Sequence, residues 1–272
     1  MHINKKINTY VKLITLVFSI ILISAFASNS YADDLKVLEE KSFQINPGND
    51  LRIKISGGDV TVTSWNKSEV YIKILGNDNA EEYMNFEFEN DDKLVELIAR
   101  KKSGFSSWFS GIDVEVEVKV PEEFNSYINT SGGDIKYGGV TGRAELNTSG
   151  GDVWGEKFSG RLEISTSGGD ISLIGSNTKI DAHTSGGDIK LDYTGENKGI
   201  NLNTSGGDIV VKLPENFNAS INLSTSGGDV YCGLPLRSTI KSSNSRIVGE
   251  LNNGGEELVA QTSGGDIDVI ER

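Results

Sequence analysis

An all-β fold is predicted for this 272-residue chain: a parallel β-solenoid with coils of about 18–21 residues and a less regular β-rich N-terminal part. Three observations predict it. The tetrapeptide Ser-Gly-Gly-Asp occurs eight times, ending at Asp59, Asp134, Asp152, Asp170, Asp188, Asp208, Asp229 and Asp266. From Asp134 onward the intervals are 18, 18, 18, 20, 21 and 37 residues, and a fixed period near twenty marks one structural unit stacked on the next. The second observation is a period-two alternation on both sides of the tetrapeptide, as in Leu162 and Ile164 before it and Ile171 and Leu173 after it, which is the pattern of strands with one buried face. The third is a threonine at the same inward phase in seven copies: Thr130, Thr148, Thr166, Thr184, Thr204, Thr225 and Thr262.

Residues 1–32 read as a signal peptide. Lys5, Lys6 and Lys12 make a basic start, Leu13 to Ala27 is almost unbroken apolar sequence, and Ser30-Tyr31-Ala32 offers small residues for cleavage. An apolar run of about 15 residues is short for a membrane span, which needs ~20, and no second run of spanning length follows. Residues 33–120 are β-rich but irregular. Leu51 to Ile55, Ser56 to Asp59 and Val60 to Val62 form one full coil signature. Val70 to Leu75, Phe86 to Phe88, Leu94 to Ala99 and Val114 to Val120 read as further strands, either worn coils or a cap with its own hairpins. Residues 121–272 are the regular solenoid. There the Gly-Gly pair is the bend, where a positive φ suits glycine, and each Asp accepts turn N–H groups. Ser243-Asn244-Ser245-Arg246-Ile247, with Ser242 in the threonine slot, reads as a worn copy that splits the last interval into 17 and 20. Successive coils are expected to pair in sequence order, along a right-handed path.

Composition narrows the function classes. The chain has 26 Lys and Arg against 39 Asp and Glu, a formal charge of −13. Removing Lys5, Lys6 and Lys12 with the leader leaves 23 against 39, or −16. Such a balance argues against nucleic acid and against anionic membrane surfaces, both of which need a basic face. Cys232, the single cysteine, permits no intramolecular disulfide, and its inward phase makes it a small core residue. The expected place of action is outside the cytoplasm: periplasmic, on the cell surface or secreted.

A Val-Pro strand end leading into Asn-Thr-Ser-Gly-Gly-Asp-Ile, the recurring Thr-Ser-Gly-Gly-Asp and the exported character together resemble the bacterial putative-adhesin domain family. That family is catalogued as a domain of unknown function with a β-solenoid fold. The resemblance covers residues 50–270 and implies no catalytic residues.

Three candidate chemistries follow. The stacked aspartates stand ~4.8 Å apart, where like charges repel by ~1 kcal/mol in water. Turn N–H groups relieve this in the favoured reading, with no cofactor; calcium is the alternative. Phe105, Trp108 and Phe109 lie in a Ser/Gly-rich segment, and Val210, Tyr231 and Val248 form an outward strip two residues after the aspartate phase. Both suit contact with an envelope or surface partner, protein or glycan. A polysaccharide-acting enzyme is the remaining alternative, weakened because the carboxylates belong to every coil equally and His183 has no repeated partner. The expected function is therefore a non-enzymatic binding or structural module. N-terminal sequencing of the protein recovered outside the cytoplasm should begin at Asp33; recovery of an intact Met1 start would refute the cleavage reading.

Overall fold

The structure, a computed structural model, describes residues 35–102 and 111–272. The leader and the aromatic segment with Phe105, Trp108 and Phe109 lie outside the described residues. The strands begin with β1 (Lys36–Gln44), β2 (Asp50–Ile55), β3 (Asp59–Trp65) and β4 (Glu69–Gly76), followed by a short helix α1 (Asp78–Tyr83). β5 (Met84–Asn90), β6 (Leu94–Lys101) and β7 (Val114–Pro121) complete the N-terminal part. The regular coils use β8 (Asn125–Thr130), β9 (Ile135–Gly138), β10 (Thr141–Asn147), β11 (Val153–Glu156), β12 (Ser159–Ser165) and β13 (Ile171–Ser176). They continue through β14 (Thr178–His183), β15 (Ile189–Thr194), β16 (Ile200–Asn203) and β17 (Ile209–Leu213). The C-terminal part holds β18 (Ala219–Thr225), β19 (Val230–Cys232), β20 (Leu236–Ser243), β21 (Arg246–Leu251), β22 (Glu257–Thr262) and β23 (Ile267–Glu271).

Each coil contributes one strand to each of two sheets. Strands before the tetrapeptide join a 12-stranded leading sheet, and strands after it join an 11-stranded trailing sheet. The regular strands pair in parallel with phases matched, so Leu162 faces Ile180 and Ile164 faces Ala182 in one sheet while Ile171 faces Ile189 in the other. One face of every coil is thereby apolar, and these residues are buried between the sheets. Phe124, Phe158 and Phe217 fill the core near the corner opposite the tetrapeptide.

The Thr-Ser-Gly-Gly corner is held by backbone. Thr166 Oγ1 donates to the Gly151 carbonyl of the neighbouring coil at 3.1 Å and accepts the Gly169 N–H of its own coil at 3.3 Å. Thr148, Thr184, Thr204, Thr225 and Thr262 repeat both bonds. The threonines bind turn backbone rather than one another, so each buried hydroxyl is satisfied.

The reason for glycine differs from the expectation. Of the tetrapeptide glycines only Gly58 has a φ in the left-handed region, at 128°. In the other coils the second glycine is required by space: a Cβ on Gly169 would lie 1.9 Å from the Gly151 carbonyl oxygen, and one on Gly151 2.0 Å from that of Gly133. The first glycine has more room: a Cβ on Gly168 meets nothing closer than 4.0 Å, and the tightest case, Gly227, meets the Ser263 carbonyl oxygen at 3.1 Å.

The coils do not stack in sequence order. β2 and β3 lie between the coil of β6 and β7 and the coil of β8 and β9. At the other end the last coil, β22 and β23, inserts between β16/β17 and β18/β19. The repeated phrase Val120-Pro121-Glu122-Glu123-Phe124-Asn125 and Leu213-Pro214-Glu215-Asn216-Phe217-Asn218 has a structural meaning here. Both connections run from the trailing sheet to the leading sheet across one intervening coil. Phe124 and Phe217, 1% and 2% exposed, anchor these two long steps in the core.

The worn copy is not a coil. Asn244 and Ser245 form the turn of an antiparallel hairpin of β20 and β21, which lies on β18 and extends the leading sheet alone; Ser242 is exposed on β20. At the N-terminal end one further coil (β6, β7) is followed by antiparallel strands: β4 and β1 extend the trailing sheet and β5 the leading sheet. Asp91 closes the β5–β6 turn by accepting the N–H groups of Lys93 and Leu94 at 2.7 and 2.9 Å.

The two glycines predict opposite mutational outcomes. Gly169→Ala should cost ~3 kcal/mol or more in a denaturant melt, because backbone must move apart. Gly168→Ala should stay within ~1 kcal/mol of the parent and can stabilise by restricting the unfolded chain. Equal costs at the two positions would remove close approach as the cause.

Candidate functional site

The eight repeated aspartates form one continuous ladder along the corner. Asp134 N–H donates to Asp59 Oδ1 at 2.9 Å, and the pattern continues through Asp152, Asp170, Asp188 and Asp208 at 2.8–2.9 Å. The order then follows space rather than sequence: Asp266 N–H donates to Asp208, and Asp229 N–H to Asp266, both at 2.8 Å. A hydrogen bond to an ionised acceptor is worth about 1.5–3 kcal/mol, which exceeds the ~1 kcal/mol repulsion of neighbouring carboxylates near water. The ladder therefore holds its own charge with one oxygen of each side chain but the last, Asp229. Among the described residues no group of three or more His, Cys, Asp or Glu side chains converges on a metal position.

The outward strip expected from Val210, Tyr231 and Val248 is not formed. Val210 and Tyr231 both belong to the trailing sheet, but the inserted last coil places Asp268 between them. Val248 lies on antiparallel β21 in the other sheet, because the worn copy is a hairpin. Tyr231 is 58% exposed on the edge strand β19. Cys232, on the same short strand, is half-buried rather than enclosed, since no further coil covers it. Burial still pushes its thiol up, so the reactive thiolate is scarce. His183 is exposed on the leading sheet between Ser165 and Asn203.

A different constellation stands on the outer face of the trailing sheet. A groove of about 700 Å³ crosses β3, β9, β11, β13, β15 and β17, six adjacent coils. Its length is ~24 Å at ordinary strand spacing. Two columns line it. The column two residues after the aspartates holds Lys136, Trp154, Ser172, Lys190 and Val210; the column four residues after holds Gly138, Glu156, Ile174, Asp192 and Lys212. Trp154 is 38% exposed and Ile174 55%, both in the middle of the groove. Lys136 places its ammonium 5.7 Å from the Trp154 ring centre, a cation–π contact. On the other side Trp154 is in register with Ser172, a small neighbour. Behind the groove Tyr137 is buried in the core, and burial pushes its hydroxyl up to about 12, so it stays neutral at physiological pH.

Trp154 and Ile174 escaped the sequence reading, although the signal for Trp154 was present. It occupies the same phase, two residues after the aspartate, as Val210 and Tyr231.

Fold and corner together define a parallel two-sheet β-solenoid whose coils share one hydrogen-bonded edge and whose trailing sheet carries a groove. Residues 124–270 match the family described as Toastrack DUF4097, and the chain belongs to that family. None of the curated proteins matches. Fourteen chains of solved structures match. One is a putative cell adhesion protein from Clostridium sporogenes ATCC 15579, with 15% identity, 87% of this chain and 100% of that chain covered, and a TM-score of 0.40. Another is a putative adhesin from Bacteroides fragilis NCTC 9343, with 12% identity, coverage of 86% and 97%, and a TM-score of 0.39.

The ladder makes a prediction about both the aspartates and calcium. Asp170→Asn keeps the acceptor oxygen and should change stability by less than ~1 kcal/mol, whereas Asp170→Ala should lose ~1–3 kcal/mol. Millimolar calcium and magnesium should raise the melting temperature slightly and equally, by screening charge. A large calcium-specific rise, abolished by Asp170→Asn with Asp188→Asn, would make the ladder a cation site.

Proposed function

We propose that the chain is an exported, non-enzymatic binding module of the bacterial envelope that holds its partner in the groove of the trailing sheet. One observation carries this reading: Trp154 and Ile174 are exposed on adjacent strands of one groove, on a sheet whose opposite face supplies the core. Exposed apolar side chains grouped in a concavity, with a few polar groups around them, are the usual composition of a binding site. A solenoid suits the task, because stacked coils give an extended and rigid surface.

The polysaccharide-hydrolase alternative finds one possible carboxylate pair here. Glu156 and Asp192 stand two coils apart in one column, ~10 Å by strand spacing, near the upper end of the range for an inverting pair. Glu156 is 60% exposed and meets Lys157 at 3.7 Å, and Asp192 meets Arg272 at 2.6 Å. Both carboxylates are already engaged by a cation of this chain, which fits a binding role better than an acid–base pair.

Truncating a central contact of a binding face costs more than ~1 kcal/mol. Trp154→Ala with Ile174→Ser should therefore reduce retention of the protein on envelope fractions roughly tenfold while leaving its melt unchanged. His183→Ala, on the opposite outer face, should retain fully. Unchanged retention of the groove variant would overturn the groove as the binding face. Turnover of an envelope polysaccharide, lost in Glu156→Gln, would overturn the non-enzymatic reading.

A further inference from the structure

Resting on the groove as the binding face, we infer that its ligand is an acidic polysaccharide lying across the strands, along the stack of coils. The first argument is charge. The chain as a whole has 26 basic against 39 acidic residues. The residues that line the groove reverse this balance, and in the aspartate ladder that borders it two residues away each carboxylate from Asp59 to Asp208 has one oxygen held by a backbone N–H. The lining supplies Lys136, Lys190 and Lys212 against Glu156 and Asp192. Both carboxylates are already occupied, Glu156 by Lys157 at 3.7 Å and Asp192 by Arg272 at 2.6 Å, and Lys190 also meets Asp188 at 3.7 Å. Five cations thus stand against three carboxylates among the lining residues and their partners. Among the described residues Lys136 and Lys212 have no carboxylate within ion-pair distance, Lys136 resting instead near the Trp154 ring, so both charges can be met by a ligand anion.

The second argument is shape and spacing. Lys136 and Lys190 share one column three coils apart, with Trp154 and Ser172 between them. That is ~14 Å along the stack. An aromatic ring offers an apolar plane of the kind that packs on the C–H face of a sugar. Ser172 beside it in the same column keeps the surface low on that side, so a flat ring can reach it. Lysines on either side then meet the carboxylate or sulfate groups that a charged polymer repeats along its length. An extended peptide is less well matched. The groove crosses strands that are already paired on both sides, so it offers no free backbone edge to an added strand.

The test is calorimetric titration of the exported protein with oligogalacturonate and hyaluronan fragments. Neutral cello- and malto-oligosaccharides and polyglutamate serve as controls. Saturable binding of an acidic oligosaccharide is expected, weakened by raising salt from about 0.05 to about 0.5 M. Trp154→Ala should lower that affinity about tenfold, and Lys136→Gln with Lys190→Gln should lower it by a similar factor. Equal binding of neutral and acidic sugars would overturn the charge argument. Binding of polyglutamate that is indifferent to Trp154→Ala would show a polyanion patch and overturn the sugar. If no oligosaccharide binds, while the groove variant still loses retention on envelope fractions, the ligand class is wrong and the groove remains the binding face. Loss of neither would remove both.

Discussion

At every corner of this protein one backbone lies against the next with no room for a side chain between them. At Gly58 a Cβ on the second glycine would lie 2.6 Å from the Val114 carbonyl, and in the other seven of the eight tetrapeptides it would lie about 2 Å from the glycine carbonyl of the neighbouring coil. That approach allows the rest of the corner to form. The same carbonyl accepts the threonine hydroxyl, and the same turn aligns each aspartate N–H with the carboxylate of the neighbouring coil. A neutral hydrogen bond contributes ~1 kcal/mol net and a charge-assisted one about twice that, so the corner gains from each additional coil. Because the arrangement repeats through eight aspartates, the coils are locked in register by polar contacts as well as by the apolar core.

Register fixes what the outer faces can do. Residues at equal distance from the aspartate form straight columns, so a side chain placed by sequence is automatically aligned with its counterparts ~4.8 Å away. On the trailing sheet this alignment brings Lys136, Trp154, Ser172 and Lys190 into one line. The corner itself is occupied with structural bonds. Side chains free of structural bonds fall to the face between corners, where alternation leaves every second residue outward and unconstrained by packing.

The ends follow a different constraint. A stack of parallel strands exposes edge N–H and C=O groups at both ends, a hazard for uncontrolled pairing. Here antiparallel strands terminate the stack at β1, β5 and β20, and at each end one coil is threaded out of order. The two Pro-Glu-x-Phe-Asn connections make those long steps, each pinned by a buried phenylalanine. Among the described strands, the trailing sheet alone finishes on a short parallel strand, β19 at the C-terminal end, which leaves Tyr231 exposed and Cys232 half-covered.

The sequence by itself determined the coil. Alternating apolar residues set the strands and their inward phase, and the repeated tetrapeptide set the corner, because each corner meets the same residues whichever coil lies beside it. It could not determine which coil lies beside which. Every corner carries the same residues, so Asp208 pairs as well with Asp266 as it would with Asp229, and connection length and the end hairpins decide between them. For the same reason Val210, Tyr231 and Val248 looked like one strip, and only the tertiary order separated them. The groove around Trp154 was legible as a phase but not as a place. Its concavity and its excess of cations arise from six coils brought side by side, and no single repeat encodes them.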